Sequence, residues 1–96
     1  MAFDISFSEE KNQLLKVTRN VSFEQIKDLL GTDSLLADIV HPNERYPHQR
    51  MYVVKVGHTV YAVPYVINTQ KSEIFLKTAY PSRALKRKYI QGDTHE

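Results

Sequence analysis

Between Lys77 and Tyr89 the chain reads KTAYPSRALKRKY and carries five basic side chains, Lys77, Arg83, Lys86, Arg87 and Lys88, with no acid among them. Tyr80, Pro81, Ser82 and Arg83 fall where a strand should give way to a helix. A helix start presents unpaired N–H groups and the positive end of the dipole, which together favour a phosphate. Arg83 stands in the first helical turn, where that dipole disfavours a cation. A side chain set against its local electrostatic preference points to a use other than helix stability. Lys77 and Arg83 are therefore candidates for holding a phosphate and stabilising charge that develops on it. Tyr80 is a candidate for proton transfer or base stacking, Tyr89 for stacking, and Lys86 and Arg87 extend the basic surface along the helix. A solvated helix face accounts for the same run of charge.

The histidines are the other acid–base candidates, because imidazole titrates near neutral pH. His41 and His48 flank the Pro-containing segment HPNERYPHQR, His58 lies in a turn, and His95 belongs to the tail. His48, close to Arg50, is the better proton carrier of the set, with Arg50 assisting. No H-E-x-x-H or clustered carboxylates accompany these histidines, so no metal site is expected. Lys16 and Arg19 close a first helix, where cations complement the dipole; that is a sufficient structural account, and it leaves phosphate contact open. Tyr52, Tyr61, Tyr65 and Phe75 lie in strand-like stretches, and packing explains them.

The chain lacks a Gly-rich phosphate loop, a G-x-S-x-G elbow and a zinc motif. It has no cysteine, which removes disulfides and thiolate chemistry. Metal-independent RNA cleavage is one reaction still open to such a chain. The 2′-hydroxyl supplies the nucleophile, and the protein need only orient the backbone, move protons and stabilise the pentacovalent phosphate.

These residues need a scaffold, and 96 residues make one domain with one core. Phe3, Ile5 and Phe7 alternate as in a short strand. Ser6 with Glu9 reads as a capping box, with Ser8 a competing cap, for a helix running to Arg19 and stopped at Asn20. Ser22 and Gln25 cap a second helix bearing Phe23, Ile26, Leu29 and Leu30, closed by Gly31. Residues 34–40 read as a strand, and 41–50 as a loop. Residues 50–56 and 59–67 are β-rich and flank Gly57-His58, a two-residue connection suited to a type II′ hairpin. Pro64 implies a bulge or an unpaired side. Residues 73–79 make a further strand, and Pro81 should open a last helix ending near Gly92, with a frayed tail from about residue 92. The result is an α+β fold, an antiparallel sheet with two N-terminal helices on one face and a basic C-terminal helix. Residues 1–40 hold seven acids and four bases, and 41–96 hold four acids and nine bases, which favours a polyanionic partner for the C-terminal half. No signal-peptide layout or apolar run long enough to span a bilayer is present, so a cytoplasmic location is expected.

The segments FDISFSEEKNQLLK and RNVSFEQIKDLL resemble the opening of BrnT-type toxins of bacterial type II toxin–antitoxin systems. That family begins with an aromatic–Asp pair, a Lys-Asn helix and a G-[IV]-S-F-E-E second helix. HPNERYPHQRMYVVKVGHTVYAVPYVI and EIFLKTAYPSRALKRKY are similar to a BrnT-like subgroup, so the likeness spans roughly residues 3 to 90. Better-known members carry S-A-R-R-A after the last strand; here only Arg83 and Ala84 match, and Pro81 intervenes. The resemblance implies a RelE-like fold and a ribonuclease directed at mRNA or the ribosome, without cofactor. It also implies neutralisation by a cognate antitoxin of ribbon-helix-helix type, through which alone DNA would be bound. On this reading Arg83, Lys77, Tyr80, His48 and Arg50 are the catalytic set, and Lys16, Arg19, Lys86, Arg87 and Tyr89 contact RNA. The rival readings are a non-enzymatic module whose basic surface docks an acidic antitoxin, and a module that acts by occupying RNA.

Overall fold

Three side-chain caps set the helix starts. The computed structural model describes residues 3–41, 45 and 49–94, with side chains to residue 90. Strand β1 (Asp4–Phe7) leads into helix α1 (Glu9–Arg19), whose cap is Ser8, with its hydroxyl accepting from the Lys11 N–H at 3.2 Å. Ser6, the other candidate, stays in the strand, and its buried hydroxyl has no hydrogen-bond partner. Asn20 ends the helix in the left-handed conformation (φ 55°), its N–H returning to the Leu15 carbonyl. Helix α2 (Phe23–Leu29) is capped by Ser22, which accepts from the Gln25 N–H at 3.0 Å. Gly31 is not its left-handed stop. The chain leaves through Leu30, which stays right-handed and donates to the Lys27 carbonyl in a tightened last turn.

The remaining elements are β2 (Leu35–Val40), β3 (Arg50–Val56), β4 (Thr59–Asn68), β5 (Glu73–Leu76), β6 (Tyr80–Pro81) and α3 (Arg83–Thr94). The sheet runs β1-β5-β4-β3-β2, with β6 continuing beside β4. It is mixed rather than antiparallel, because β1 pairs with β5 in parallel while every other pairing is antiparallel. Two helices intervene between β1 and the rest of the sheet, so β1 is free of hairpin constraints and can enter at the edge in the parallel sense. The fold is α+β, a mixed sheet with three helices. Among the described residues no helix is long and apolar enough to cross a membrane.

The β3–β4 hairpin turns at Gly57 (φ 63°), while His58 keeps a negative φ, the sign pattern of a type II′ turn. Counting outward from that turn, Met51↔Pro64 is a non-hydrogen-bonded pair, so the Pro64 nitrogen faces the other neighbour of β4. On that side the pairing is broken. Tyr65 pairs with Leu76 and Ala62 with Tyr80, so two residues of β4 face the three residues 77–79. The extra residue is a bulge opposite Pro64. It ends β5 at Leu76, where an unbroken strand to Ala79 was expected, and Lys77 donates to the Pro64 carbonyl at 2.8 Å.

Pro81 likewise does not open α3. It pairs with Tyr61, and Ser82 becomes the cap, its N–H donating to the Val60 carbonyl and its hydroxyl accepting from the Leu85 N–H. Sheet pairing outweighs the local preference of proline for the first helical position. Helix α3 also runs past Gly92 to Thr94.

One face of β3 and β4 presents Tyr52, Val54, Tyr61, Val63 and Tyr65, which share a core with Leu15 and Val21 and with Phe23 and Ile26 of α2. The alternate residues Met51, Val53, Val60 and Ala62 are also buried, and α3 packs on β4. Asn12 is wholly buried, the one residue outside the apolar and tyrosine set that is so among the described residues. Its carbonyl oxygen accepts from the Phe23 N–H at 2.7 Å, and its amide donates to Glu24 at 2.9 Å. That bond to Asn12 is the main influence holding the Glu24 carboxyl below its ordinary pKa, with a smaller one from Lys16. Asn12→Ala leaves a buried N–H without a partner and removes two hydrogen bonds, so it should lower unfolding stability by about 2–4 kcal/mol in urea titration.

Candidate functional site

The bulge after β5 directs Lys77 and Tyr80 into an open groove of about 440 Å³, floored by Pro64. Lys11 reaches it from the first turn of α1, and His41 and Gln49 close it from the far side. The His41 N–H donates to the Gln49 carbonyl at 3.1 Å, which draws the end of β2 against the start of β3 and sets this wall. Among the described residues lining the groove there are two lysines and no carboxylate. Tyr80 is 36% exposed, with its hydroxyl toward the Met51 sulfur at 3.9 Å. Cations, an imidazole and a phenol thus line one groove.

The sequence-derived set is divided by the structure. Lys77 and Tyr80 come together. Arg83 lies in a second groove of about 320 Å³ with Lys86, His58 and Thr59. His48 lies outside the described residues. Arg50 is engaged elsewhere: its Nε donates to Asp38 Oδ1 at 3.2 Å and to the Tyr65 hydroxyl at 3.1 Å, and its Nη2 to the Asp38 carbonyl. Lys16 stands 3.9 Å from Glu24, an exposed pair of small energetic weight. Arg19 is exposed at the end of α1, where its carbonyl accepts from the Tyr61 hydroxyl. On α3, Arg87 is exposed, Tyr89 is half-buried beneath the Lys88 ammonium, and the Lys86 Nζ donates to the His58 carbonyl at 2.6 Å.

Lys11 and Gln49 are groove residues that the sequence reading did not single out, and His41 is one that it ranked below His48. Lys11 carried a usable signal, the same one that singled out Arg83: a cation in the first turn of a helix. His41 was weighed and set below His48, since spacing alone does not say which end of a loop faces the sheet. Among the described residues no three His, Asp or Glu side chains gather as a metal ion would require.

Beside the groove wall, Tyr65 is buried, stacks on Tyr52 with centroids 4.0 Å apart, and donates to Asp38 Oδ1 at 2.5 Å. Burial first, and then the bond to Asp38, push the Tyr65 hydroxyl well above the ordinary tyrosine pKa, and burial also raises Tyr52. No protein-family model, curated protein or solved structure matches this chain.

A pH dependence follows from the two tyrosines. Unfolded, both ionise near the ordinary value of 10.0, while in the folded protein they hold their protons to higher pH. Their stabilisation is complete below that value and is lost as pH rises through the folded pKa values. Chemical denaturation between about pH 8 and 12 should show stability falling above pH 10. Tyr65→Phe should flatten that fall, and an unchanged slope in the variant would contradict the assignment.

Proposed function

We propose that the chain is a BrnT-like toxin with a RelE-like fold, cleaving mRNA without a metal ion. The observation that carries this reading is the gathering of Lys77, Tyr80, Lys11 and His41 in one open groove. Cleavage through the 2′-hydroxyl requires a proton acceptor, a proton donor and positive charge near the phosphate. His41 suits the acceptor, because an imidazole nitrogen can take up the proton. Tyr80 suits the donor to the leaving 5′-oxygen, and Lys77 and Lys11 stabilise the phosphorane. Arg50, bound to Asp38 and Tyr65, fits the role of fixing the start of β3 behind Gln49. The likeness at Phe3-Asp4, Lys11-Asn12 and Val21-Ser22-Phe23-Glu24 supports the same class. With it comes a small cognate antitoxin that blocks the toxin and supplies DNA binding.

The rival reading, a basic module that docks an acidic antitoxin or RNA without chemistry, draws on the exposed Arg87 and Lys88 of α3. Induction in a bacterial host separates the two. The enzyme reading expects growth arrest with discrete mRNA cleavage. Tyr80→Phe and Lys77→Ala should each reduce purified-protein cleavage by about 10²-fold or more. Cleavage that survives in both variants, or arrest without any cleavage, would remove the chemistry from this groove.

A further inference from the structure

The second groove is separate from the first, yet both open over the same face of β4. Pro64 floors one and Val60 lines the other, and residues of like parity on a strand share a face. Ala62, itself wholly buried, lies midway between them and pairs across the sheet with Tyr80, which lines the first groove one residue before Pro81 of the second. Four residues of strand span about 13 Å, no more than roughly four stacked nucleotide repeats of ~3.4 Å.

The second groove is also built rather than incidental. Lys86 is tied by its ammonium to the His58 carbonyl, which bridges α3 to the β3–β4 turn and fixes the cation at the groove. Arg83 is exposed on the same wall, and the first turn of α3 holds no acid to offset either charge. Neither group is needed for the chemistry assigned to Lys77, Tyr80 and His41.

Resting on the ribonuclease reading, we propose that the groove of Arg83, Lys86 and His58 is a second phosphate subsite for the same substrate strand. The substrate is then single-stranded RNA, gripped a few nucleotides from the scissile phosphate, with a base stacked on Tyr80 at the crossing. A duplex could not splay a base onto that ring, whereas an unpaired strand stacks on aromatic side chains readily. Arg83 thereby becomes a binding residue that sets where the strand lies, and not a stabiliser of charge at the scissile phosphate.

The test measures binding of fluorescent oligouridylate of about twelve nucleotides across a salt series, apart from any cleavage assay. Two phosphate contacts on a single strand contribute about 1.4 to the slope of log K against log salt. Arg83→Ala combined with Lys86→Ala should reduce the slope by about that amount and weaken binding about tenfold at low salt. Arg83→Glu, which leaves the Lys86–His58 bridge in place, should weaken binding further than Arg83→Ala, and Lys86→Arg, which keeps the charge, should keep the wild-type slope that Lys86→Ala loses. An unchanged slope in the double variant would overturn the subsite, as would weaker binding at constant slope, the mark of a structural effect. Duplex RNA bound as tightly as the single strand would overturn the substrate assignment. Failure of the ribonuclease reading shows separately, as wild-type protein that binds the oligonucleotide and never cuts RNA.

Discussion

The carboxamide of Asn12 is the constraint on which the arrangement of this small protein depends. It sits in the first half of α1, wholly buried, and holds the first N–H of α2 together with the side chain of Glu24. Helix α2 spans only seven residues, too few to persist by hydrogen bonding within itself. Its start is fixed instead by Ser22 on one N–H and Asn12 on another, and its apolar side, Phe23 and Ile26, is thereby pressed on the tyrosine and valine face of β3 and β4. An aliphatic side chain at position 12 would fill the space and satisfy nothing. The polar group specifies the angle between two helices as well as their contact.

From that packing follows the position of the groove. Fixing α1 over the sheet places its first turn beyond the end of β1, which is also where β5 stops because β1 and β5 run parallel with Phe7 beside Leu76. Lys11 thus arrives at the point where the chain kinks after Leu76. The kink itself comes from Pro64, whose missing N–H faces the gap and leaves no donor to keep β5 paired. A helix start and a strand end therefore meet at one place, and Lys11, Lys77 and Tyr80 project there for independent reasons.

Much of this was legible in the order of residues. Ser22-Phe23-Glu24-Gln25, the Gly57-His58 turn and the Asn20 stop are local patterns whose physics is complete within a few residues, and they appear as expected. Pro64 announced a bulge or an unpaired side, and the pairing of β4 is broken on that side while β4 itself runs on. What could not be read was set by partners distant in sequence. Ser6 and Ser8 are equivalent caps until β1 claims Ser6 for the sheet. Pro81 looks like a helix opener until Tyr61 pairs with it, and residues 77–79 look like strand until Pro64 is found opposite. The candidate site suffered most from this. Lys77, Tyr80 and Arg83 are close in sequence and were grouped for that reason, yet Tyr80 lines one groove while Pro81 and Arg83 line another. Lys11 and His41 join the groove from 66 and 36 residues before Lys77, a distance no spacing rule covers.

Electrostatics supplies the deeper regularity. Lys11 stands in the first turn of α1 and Arg83 in the first turn of α3, both against the helix dipole. In α1 the opposing requirement is met by Glu9 and Glu10, which carry negative charge in that turn and leave Lys11 available to the groove. In α3 the first turn holds no acid, and Lys86 is held instead by the His58 carbonyl. Two lysines line one groove, and an arginine and a lysine line the other. On the ribonuclease reading, one RNA strand that spans both grooves meets both pairs of cations at once, whereas a ligand with a single phosphate meets only one pair.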